Sequence, residues 1–434
     1  MDLAAQFLKL VSYPTTSDEE SATCPSTPGQ LTLAKAIVED MKAMGIADAH
    51  VDDHGYVYGT VPATAKAPTI GLIAHMDTSP DAKGEDIRAR ITEPYEGGDV
   101  VLNEDLDIRL SPKEYPVLEN HLGKHLIVTD GTTLLGADDK AGVAAILACA
   151  DALLHSDKPH GAVRIGFTPD EEVGRGADLF DVKGFGADYA YTVDGGALGE
   201  IEYENFNAAA ATVVIHGKSI HPGSARGKMV NAALLAMEFH QLLPVYETPA
   251  ATDGYEGFYH LTHMAGEVEE AKLSYIIRDH DAEKFQRRCA FFQKAADFLN
   301  EKYGAGTAEV TVTESYRNMK EKIEPHMYIV DAAKAAMEAC GVTPKVVPIR
   351  GGTDGARLSY EGLPCPNLCT GGENFHGRFE FIPLEDLQKV AEILERIILD
   401  AARRVPAIPA RVRRPHGTRA GINPAPTSNP RVCP

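Results

Sequence analysis

Hydrophobic positions recur along this chain in two different patterns. Up to about residue 207, short apolar runs that suit buried strands alternate with stretches of helical spacing. The clearest runs cover 69–75, 162–167 and 189–193. Because nearly continuous apolar strands broken by helices are buried on both faces, this part predicts an α/β fold with a mostly parallel sheet covered by helices.

Helical spacing is plain near the start of the chain. It predicts two amphipathic helices, the second ending at Gly45, with a loop over 14–29 between them. A hairpin is expected to turn at 53–55. Farther on, a strand over 126–129 is expected to join the same sheet and to lead into a helix over 140–154.

After residue 207, apolar and polar residues alternate one by one, as they do in strands with one buried face. Strands are predicted over 211–216, 272–278 and 310–313, and helices over 231–243 and 282–303. This combination predicts an α+β module with an antiparallel sheet.

From about residue 325 the first pattern, of apolar strands alternating with helices, returns. It predicts a helix over 326–340, a strand over 345–350 and a helix over 383–402. The simplest interpretation is one domain inserted into another, with residues 1–207 and 320–403 forming the larger domain and residues 208–319 the smaller one. A length of 434 residues also favours two domains, because a single core stops growing at ~250–300 residues.

The last stretch, residues 404–434, is rich in arginine and proline and contains no acidic residue. Such a segment cannot bury enough apolar surface to offset its ordering entropy, so it is predicted to be a disordered tail. A basic interaction arm is the alternative interpretation.

Charge and cysteine content narrow the class of function. The formal net charge of −21 argues against general affinity for nucleic acid or an anionic membrane, and favours cations or substrates with a free amine. The seven scattered cysteines form no disulfide framework, which indicates a reducing compartment. The first residues lack the pattern of a signal peptide, and no apolar run reaches the ~18 residues of a membrane helix. We therefore expect a cytoplasmic protein.

Five short clusters of metal-type side chains lie at the ends of apolar stretches. They occupy 75–77, 136–140, 170–172, 193–196 and 374–377. Taken singly, each has an ordinary explanation as a turn acid, a helix cap or a surface histidine. If the clusters converge, each like-charge pair at ~4 Å costs on the order of 4 kcal/mol at an effective dielectric constant of 20, which only cations make tolerable. We therefore predict a two-cation site that assists hydrolysis.

Local geometry indicates how some clusters contribute. His75 and Asp77 are alternate residues of a strand, so both can face the carboxyl end of the sheet, and Asp77 can hold the imidazole nitrogen that does not bind metal. One of the adjacent acids Asp138 and Asp139 suits a helix cap, and the other can bridge two cations. One histidine per metal together with carboxylates suits Zn²⁺, with Co²⁺ or Mn²⁺ as substitutes, better than Ca²⁺ or Mg²⁺.

The order and context of these clusters resemble the M20 family of co-catalytic zinc peptidases, and within it the aminotripeptidases. The resemblance covers about residues 1–403 and rests on the segments 132–142, 167–174, 191–196, 204–208, 255–261 and 349–355. It implies two Zn²⁺ per chain in a catalytic α/β domain, interrupted by a smaller lid domain. The larger and inserted domains correspond to these two parts.

The resemblance also implies roles that spacing alone leaves open. Asp138 would bridge the two metals, with His75 and Asp194 completing the shell of one ion and Glu172 and His376 that of the other.

Three further expectations follow from the resemblance. Asp77 would orient the first histidine ligand, and Glu171 would be the general base. A cis peptide bond is expected between Asp138 and Asp139. The resemblance also implies that His221 on the lid reaches the carbonyl oxygen of the substrate. Arg278 could pair with a terminal carboxylate, and Arg350 before a Gly-Gly loop is a further candidate for substrate contact.

The implied activity is that of an aminopeptidase that takes small peptides with a free N-terminus. It would release the first residue of tripeptides by attack of a hydroxide that bridges the metals. Two alternatives stay open: another M20-type amidohydrolase, such as an N-acyl amino acid deacylase or carboxypeptidase, or a non-catalytic metal-dependent binding protein. Assembly as a homodimer is compatible with each of these functions.

Overall fold

A large mixed sheet and a smaller antiparallel sheet organise the computed structural model, which describes residues 1–403. The predicted tail at 404–434 lies outside the described residues. The strands are β1 (His50–Val51), β2 (Val57–Val61), β3 (Ile70–His75), β4 (Arg90–Pro94), β5 (Val100–Asn103), β6 (Ile108–Leu110), β7 (His125–Val128), β8 (Val163–Thr168), β9 (Tyr189–Gly195), β10 (Glu200–Glu202), β11 (Asn207–His216), β12 (Phe258–Gly266), β13 (Glu270–Asp279), β14 (Ala308–Tyr316), β15 (Lys345–Val346), β16 (Asn367–Cys369) and β17 (Ile382–Pro383). The α-helices are α1 (Leu3–Val11), α2 (Pro28–Met44), α3 (Ala137–Leu154), α4 (Val182–Phe185), α5 (Ala232–Gln241), α6 (Ala282–Tyr303), α7 (Lys320–Ile323), α8 (Tyr328–Ala339), α9 (Asp354–Tyr360) and α10 (Leu384–Arg403).

The large sheet has eight strands in the order β1-β2-β8-β3-β9-β16-β10-β15. Its four central strands, β8, β3, β9 and β16, run parallel. Antiparallel pairs join β1 to β2, β2 to β8 and β16 to β10 at the flanks. The predicted α/β fold with a parallel centre is therefore confirmed, with a more mixed margin than the apolar runs indicated.

Strand β3 shows why the centre of this sheet is apolar throughout. All six of its residues are buried. Leu72 and Ala74 belong to the main core, which includes apolar residues of α1, α2, α3, α8 and α10. Ile73 points to the other face, where it packs with Phe180 and Phe185. Burial on both faces explains the unbroken apolar run.

One predicted strand lies elsewhere. The segment predicted over 126–129 is β7, which pairs with β4 and β17 in a separate antiparallel sheet of three strands. The expectation that it joins the large sheet was wrong. Its apolar residues Leu126 and Val128 instead cover a small core with Leu110 and Phe381. An apolar run shows that a strand is buried, but it does not identify the sheet that buries it.

The alternating pattern after residue 207 corresponds to a four-stranded antiparallel sheet in the order β12-β13-β11-β14. Helices α5 and α6 pack on it around Val213, Phe239 and Phe292. The α+β module is thus present, and it spans Asn207–Tyr316. Strand β12 escaped prediction because most of its residues are exposed and carry no alternating apolar signal.

Within residues 1–403, no helix combines the length and the apolar character needed to cross a membrane.

Candidate metal centre

The parallel strands bring the predicted ligand clusters to one edge of the large sheet. His75 ends β3, Asp194 lies near the end of β9, and the segment 170–172 follows β8. The carboxyl ends of parallel strands form the crevice where ligands of open α/β sheets bind. Asp138 joins them from the first turn of α3.

A glycine lets α3 approach this edge. A Cβ atom at Gly142 would lie 2.0 Å from the carbonyl oxygen of Val193 and 2.4 Å from Oδ1 of Asp139. Any side chain at this position would push the start of α3 away from β9. The close approach therefore helps bring Asp138 near Asp194.

The His75 ring lies between three carboxylates. Its Nε2 atom is 2.9 Å from Oδ1 of Asp138 and 3.3 Å from Oδ1 of Asp194. On the other side of the ring, Nδ1 is 3.0 Å from the carbonyl oxygen of Asp77 and 3.3 Å from its Oδ1. Both of those partners are acceptors, so Nδ1 donates a proton to them, and Nε2 would bind a cation in place of the proton that it shares with Asp138 and Asp194.

The His376 ring lies on the other side of Asp138. Its Nε2 atom is 3.1 Å from Oδ2 of Asp138 and 3.0 Å from Oε2 of Glu172, and its Nδ1 atom is 3.1 Å from Oδ2 of Asp81. Each oxygen of Asp138 thus contacts a different imidazole. Asp81 was not identified from the sequence, because an exposed turn acid 295 residues away carries no local signal.

Asp77 positions two glutamates as well as His75. Its fully buried carboxylate accepts hydrogen bonds from the backbone N–H of Glu171 at 3.0 Å and of Glu172 at 3.1 Å. The two glutamates then turn into the cluster. Ligand atoms of Glu171, His75 and Asp194 lie within 4.8 Å of one another.

The turn before Asp138 is held by a carboxylate that sequence reasoning missed. Buried Glu380 accepts hydrogen bonds from the N–H groups of Leu135, Gly136 and Asp138 at 2.7, 2.7 and 3.0 Å. The peptide bond between Asp138 and Asp139 is cis, as expected. Asp139 points away from the cation position, because Oδ2 accepts from the N–H of His75 at 3.1 Å and Oδ1 from that of Gly142 at 3.1 Å.

The clustered acids perturb one another. Burial, with the charge of Asp194 nearby, raises the pKa of Glu171 well above its usual range. Burial raises the pKa of Glu172 to about 7 and that of Asp194 to about 6. Hydrogen bonds to Asp138 and Glu172 raise the pKa of His376 to about 11. The cluster therefore holds protons in the places where cations would relieve the same repulsion.

The donor set fits a pair of divalent cations. Oε1 of Glu172 is buried and has no hydrogen-bond partner within the described residues. A buried carboxylate oxygen without a partner is costly unless a cation occupies its lone pair. His75, Asp138 and Glu172 form one group of nearby ligand atoms, and His75, Glu171 and Asp194 form another. The five ligands expected from the resemblance thus lie together, and so does Glu171.

A cleft of about 760 Å³ opens over this cluster. Its wall includes Tyr316 and Arg317 from the end of β14, together with Gly351 and Gly352 from the loop before α9. A small peptide can therefore lie between the metal ligands and the antiparallel sheet.

The three expected substrate contacts do not line this cleft. His221 is exposed, and its Nδ1 accepts the N–H of Gly223 at 3.1 Å within its own turn. Arg278 lies one layer behind, 5.2 Å from the centre of the Tyr316 ring, and donates to the carbonyl oxygen of Ile277 at 3.0 Å. Only through Tyr316 does Arg278 reach the wall of the cleft.

Arg350 ties two parts of the chain together. Its guanidinium donates to the carbonyl oxygens of Gly254 at 2.8 Å and Glu256 at 3.0 Å, and to Oγ1 of Thr252 at 3.0 Å. It also lies over the ring of Phe206, 5.1 Å from its centre. These partners occupy the donors that a substrate carboxylate would need, so the geometry favours a structural role.

Arg350→Met should therefore lower the stability of the chain and spare peptide binding. We expect a loss of about 2 to 3 kcal/mol, because three charge-assisted hydrogen bonds disappear, seen as a lower melting temperature with KM little changed. Arg287→Met is the control, since Arg287 is 68% exposed and makes only a 3.8 Å ion pair. A large rise in KM at an unchanged melting temperature would instead support substrate binding by Arg350.

Comparison with known proteins adds to this geometry. Residues 128–400 match the model of peptidase family M20/M25/M40. A protein named peptidase T from Alkaliphilus oremlandii is 54% identical over 402 residues, which are 92% of this chain and 98% of that protein.

Two solved structures share the fold. The aminopeptidase PepT of Bacillus cereus superposes with a TM-score of 0.74 at 27% identity, covering 92% of this chain and 98% of that one. A protein of Bacillus subtilis described as a dinuclear metal-binding peptidase of the M20 family superposes with a TM-score of 0.62 at 15% identity, again covering 92% and 98%.

Proposed function

The chain belongs to peptidase family M20/M25/M40, and from this premise we propose that it is a metal-dependent aminopeptidase that releases the N-terminal residue of tripeptides. One observation carries the proposal. Two histidines and four carboxylates from five remote segments come together at a cleft, and one of these carboxylates, Glu172, has a buried oxygen without a hydrogen-bond partner within residues 1–403. The name peptidase T, borne by a relative that this chain matches over 98% of its length, supports the tripeptide specificity.

The ligand assignment follows the contacts of the two imidazoles. Asp138 would bridge two ions, His75 and Asp194 would hold one, and Glu172 and His376 would hold the other. One imidazole per ion among carboxylates favours Zn²⁺, with Co²⁺ or Mn²⁺ as substitutes. When bound, the ions would polarise the peptide carbonyl and lower the pKa of a nearby water.

Glu171 is the proposed general base. Its carboxylate makes no hydrogen bond among the described residues and lies beside the ligand atoms of His75 and Asp194. It would accept a proton from the attacking water and pass it to the departing amine, as a carboxylate with a raised pKa can do. The backbone hydrogen bond from its N–H to Asp77 fixes where it stands.

A hydrolysis screen tests the activity. The purified chain, stripped with a chelator and reloaded with Zn²⁺, should cleave trialanine and release free alanine, while N-acetyl-trialanine, dialanine and tetra-alanine should react much more slowly. The stripped protein should be inactive. Preference for the acetylated peptide would point to a deacylase or carboxypeptidase, and binding without hydrolysis would point to a metal-dependent binding protein.

Location, assembly and domain division belong to the proposal as well. The six cysteines within the described residues are free thiols, which supports a reducing compartment such as the cytoplasm. The antiparallel sheet has its own core, which supports a lid over 208–319 inserted into a catalytic domain of 1–207 and 320–403. A homodimer stays a prediction.

A further inference from the structure

Two acidic residues of the cleft wall, Glu202 and Asp354, have no part in the metal cluster. Glu202 ends β10 and lines the cleft together with Asp194 and Gly196. It lies in the sheet two strands away from β9, with only β16 between them. Burial, with the charges of Asp194 and Glu200 close by, raises the pKa of Glu202 to about 8.

The position of this carboxylate is set by a row of polar residues across the sheet. Asn367 on β16 lies opposite Thr192 of β9 on one side and opposite Glu202 on the other. Its Oδ1 atom accepts hydrogen bonds from the hydroxyls of Thr192 and Thr353. Its Nδ2 group must therefore face the other way, where it donates to Oε2 of Glu202 at 3.3 Å.

No lysine or arginine within residues 1–403 forms an ion pair with Glu202. On the same stretch of chain, Glu200 forms an ion pair with Lys345 at 3.2 Å and Glu204 forms one with Lys320 at 2.8 Å. Within residues 1–403, the carboxylate of Glu202 has no ion pair, and the side-chain amide of Asn367 is its one hydrogen-bond partner. A largely buried carboxylate beside other acids is costly unless a positive charge arrives.

From these contacts we propose that Glu202 binds the α-ammonium group of the peptide substrate and makes a free N-terminus a requirement. The inference rests on the proposed aminopeptidase activity. In an aminopeptidase the scissile carbonyl and the α-amino group belong to the same residue, so the group that binds the amine must lie next to the metal cluster. Thr192 stands two residues before Asp194 on β9, and Glu202 lies two strands away from Thr192, with Asn367 of β16 between them.

Asp354 is the other acid of the cleft wall outside the metal cluster, and it suits the role less well. It is only 7% exposed, and its Oδ2 accepts the hydroxyl of Thr168 at 2.7 Å. A Cβ atom at Gly176 would lie 2.3 Å from its Oδ1, so backbone also covers that oxygen. Little of this carboxylate is left open to a substrate.

The test compares two ligands that differ in the amine alone, trialanine and propionyl-Ala-Ala. In Glu202→Gln we expect kcat/KM for trialanine to fall about 100-fold, mainly through KM, because the neutral amide no longer pairs with the ammonium group. The inhibition constant of propionyl-Ala-Ala should change by less than about 2-fold, since this ligand has no amine to lose. Two zinc ions per chain should remain.

Glu200→Gln is the matched control, because it removes a carboxylate from the same strand that already has a lysine partner. It should leave both constants unchanged. Glu202→Asp, which keeps the charge and shortens the reach, should raise KM for trialanine about 10-fold and serves if the glutamine variant does not fold.

Three results would overturn the inference. They are an unchanged kcat/KM for trialanine in Glu202→Gln, an equal loss for both ligands, and a loss of zinc from the variant. If the unaltered chain hydrolyses no peptide, the proposed activity fails. Calorimetric affinities of the same two ligands for the zinc-loaded protein would still decide whether Glu202 reads the amine.

Discussion

Glu171→Gln should keep both metal ions and lose about 10³-fold in kcat, because the amide cannot accept the proton of the attacking water. The substitution is nearly isosteric, and the backbone N–H of residue 171 can still bind Asp77. Within residues 1–403, the Glu171 side chain forms no hydrogen bond or ion pair with either imidazole, so the metal shell should survive. Metal content by plasma mass spectrometry and turnover of trialanine are the two measurements.

The adjacent residue provides the comparison. Glu172 contacts His376 at 3.0 Å and has the partnerless buried oxygen, so Glu172→Gln should lose metal as well as activity. Two neighbouring glutamates would then respond differently in metal content. If Glu171→Gln retains turnover, or if it also loses zinc, Glu171 is not the general base.

Asp138→Asn should remove metal binding and activity together. Each of its carboxylate oxygens contacts one imidazole, at 2.9 Å to His75 and 3.1 Å to His376, and no other described acid touches both. An amide offers one weaker oxygen and no charge, so it cannot serve two cations. We expect a loss on the order of 10³-fold in kcat/KM at saturating zinc, since several kcal/mol of transition-state stabilisation depend on the ions.

The stability of this variant gives an independent readout. Zinc should raise the melting temperature of the unaltered chain, because a ligand that binds only the folded state stabilises it, and this rise should vanish in Asp138→Asn. Asp151→Asn on the same helix is the control, since Asp151 pairs with the N-terminus at the surface. A zinc-dependent rise that persists in Asp138→Asn would contradict the bridging role.

Much of the fold was predictable because its signals are local. Helix α6 begins and ends at the predicted residues, and β3, β8 and β9 agree with their apolar runs to within two residues. Strand β16 was missed, although it lies inside the large sheet, because a run of three residues carries no periodicity. Strand β7 was predicted but assigned to the wrong sheet, since partner choice depends on segments far away in the chain.

The candidate site divides in the same way. A cation site could be predicted from residue types alone, because few other arrangements collect two histidines and several acids at strand ends. Among the partners that orient these ligands, Asp77 was predicted and the others were not. Asp81 contacts His376 from a remote turn, and Glu380 accepts hydrogen bonds from three backbone N–H groups more than 240 residues away. The guanidinium of Arg350 donates to backbone carbonyls from another remote segment.

By itself the sequence determined the order of strands and helices, the two kinds of sheet and the residues whose side chains are able to bind metal, since each of these is a property of neighbouring positions. Only the tertiary structure decided which oxygen of Asp138 faces which imidazole, and that Asp77 holds both Glu171 and Glu172 at the cleft. It also decided that Glu202, unlike Glu200 and Glu204, has no lysine partner in the described part of the chain. These features depend on distances between segments that the chain brings together only on folding.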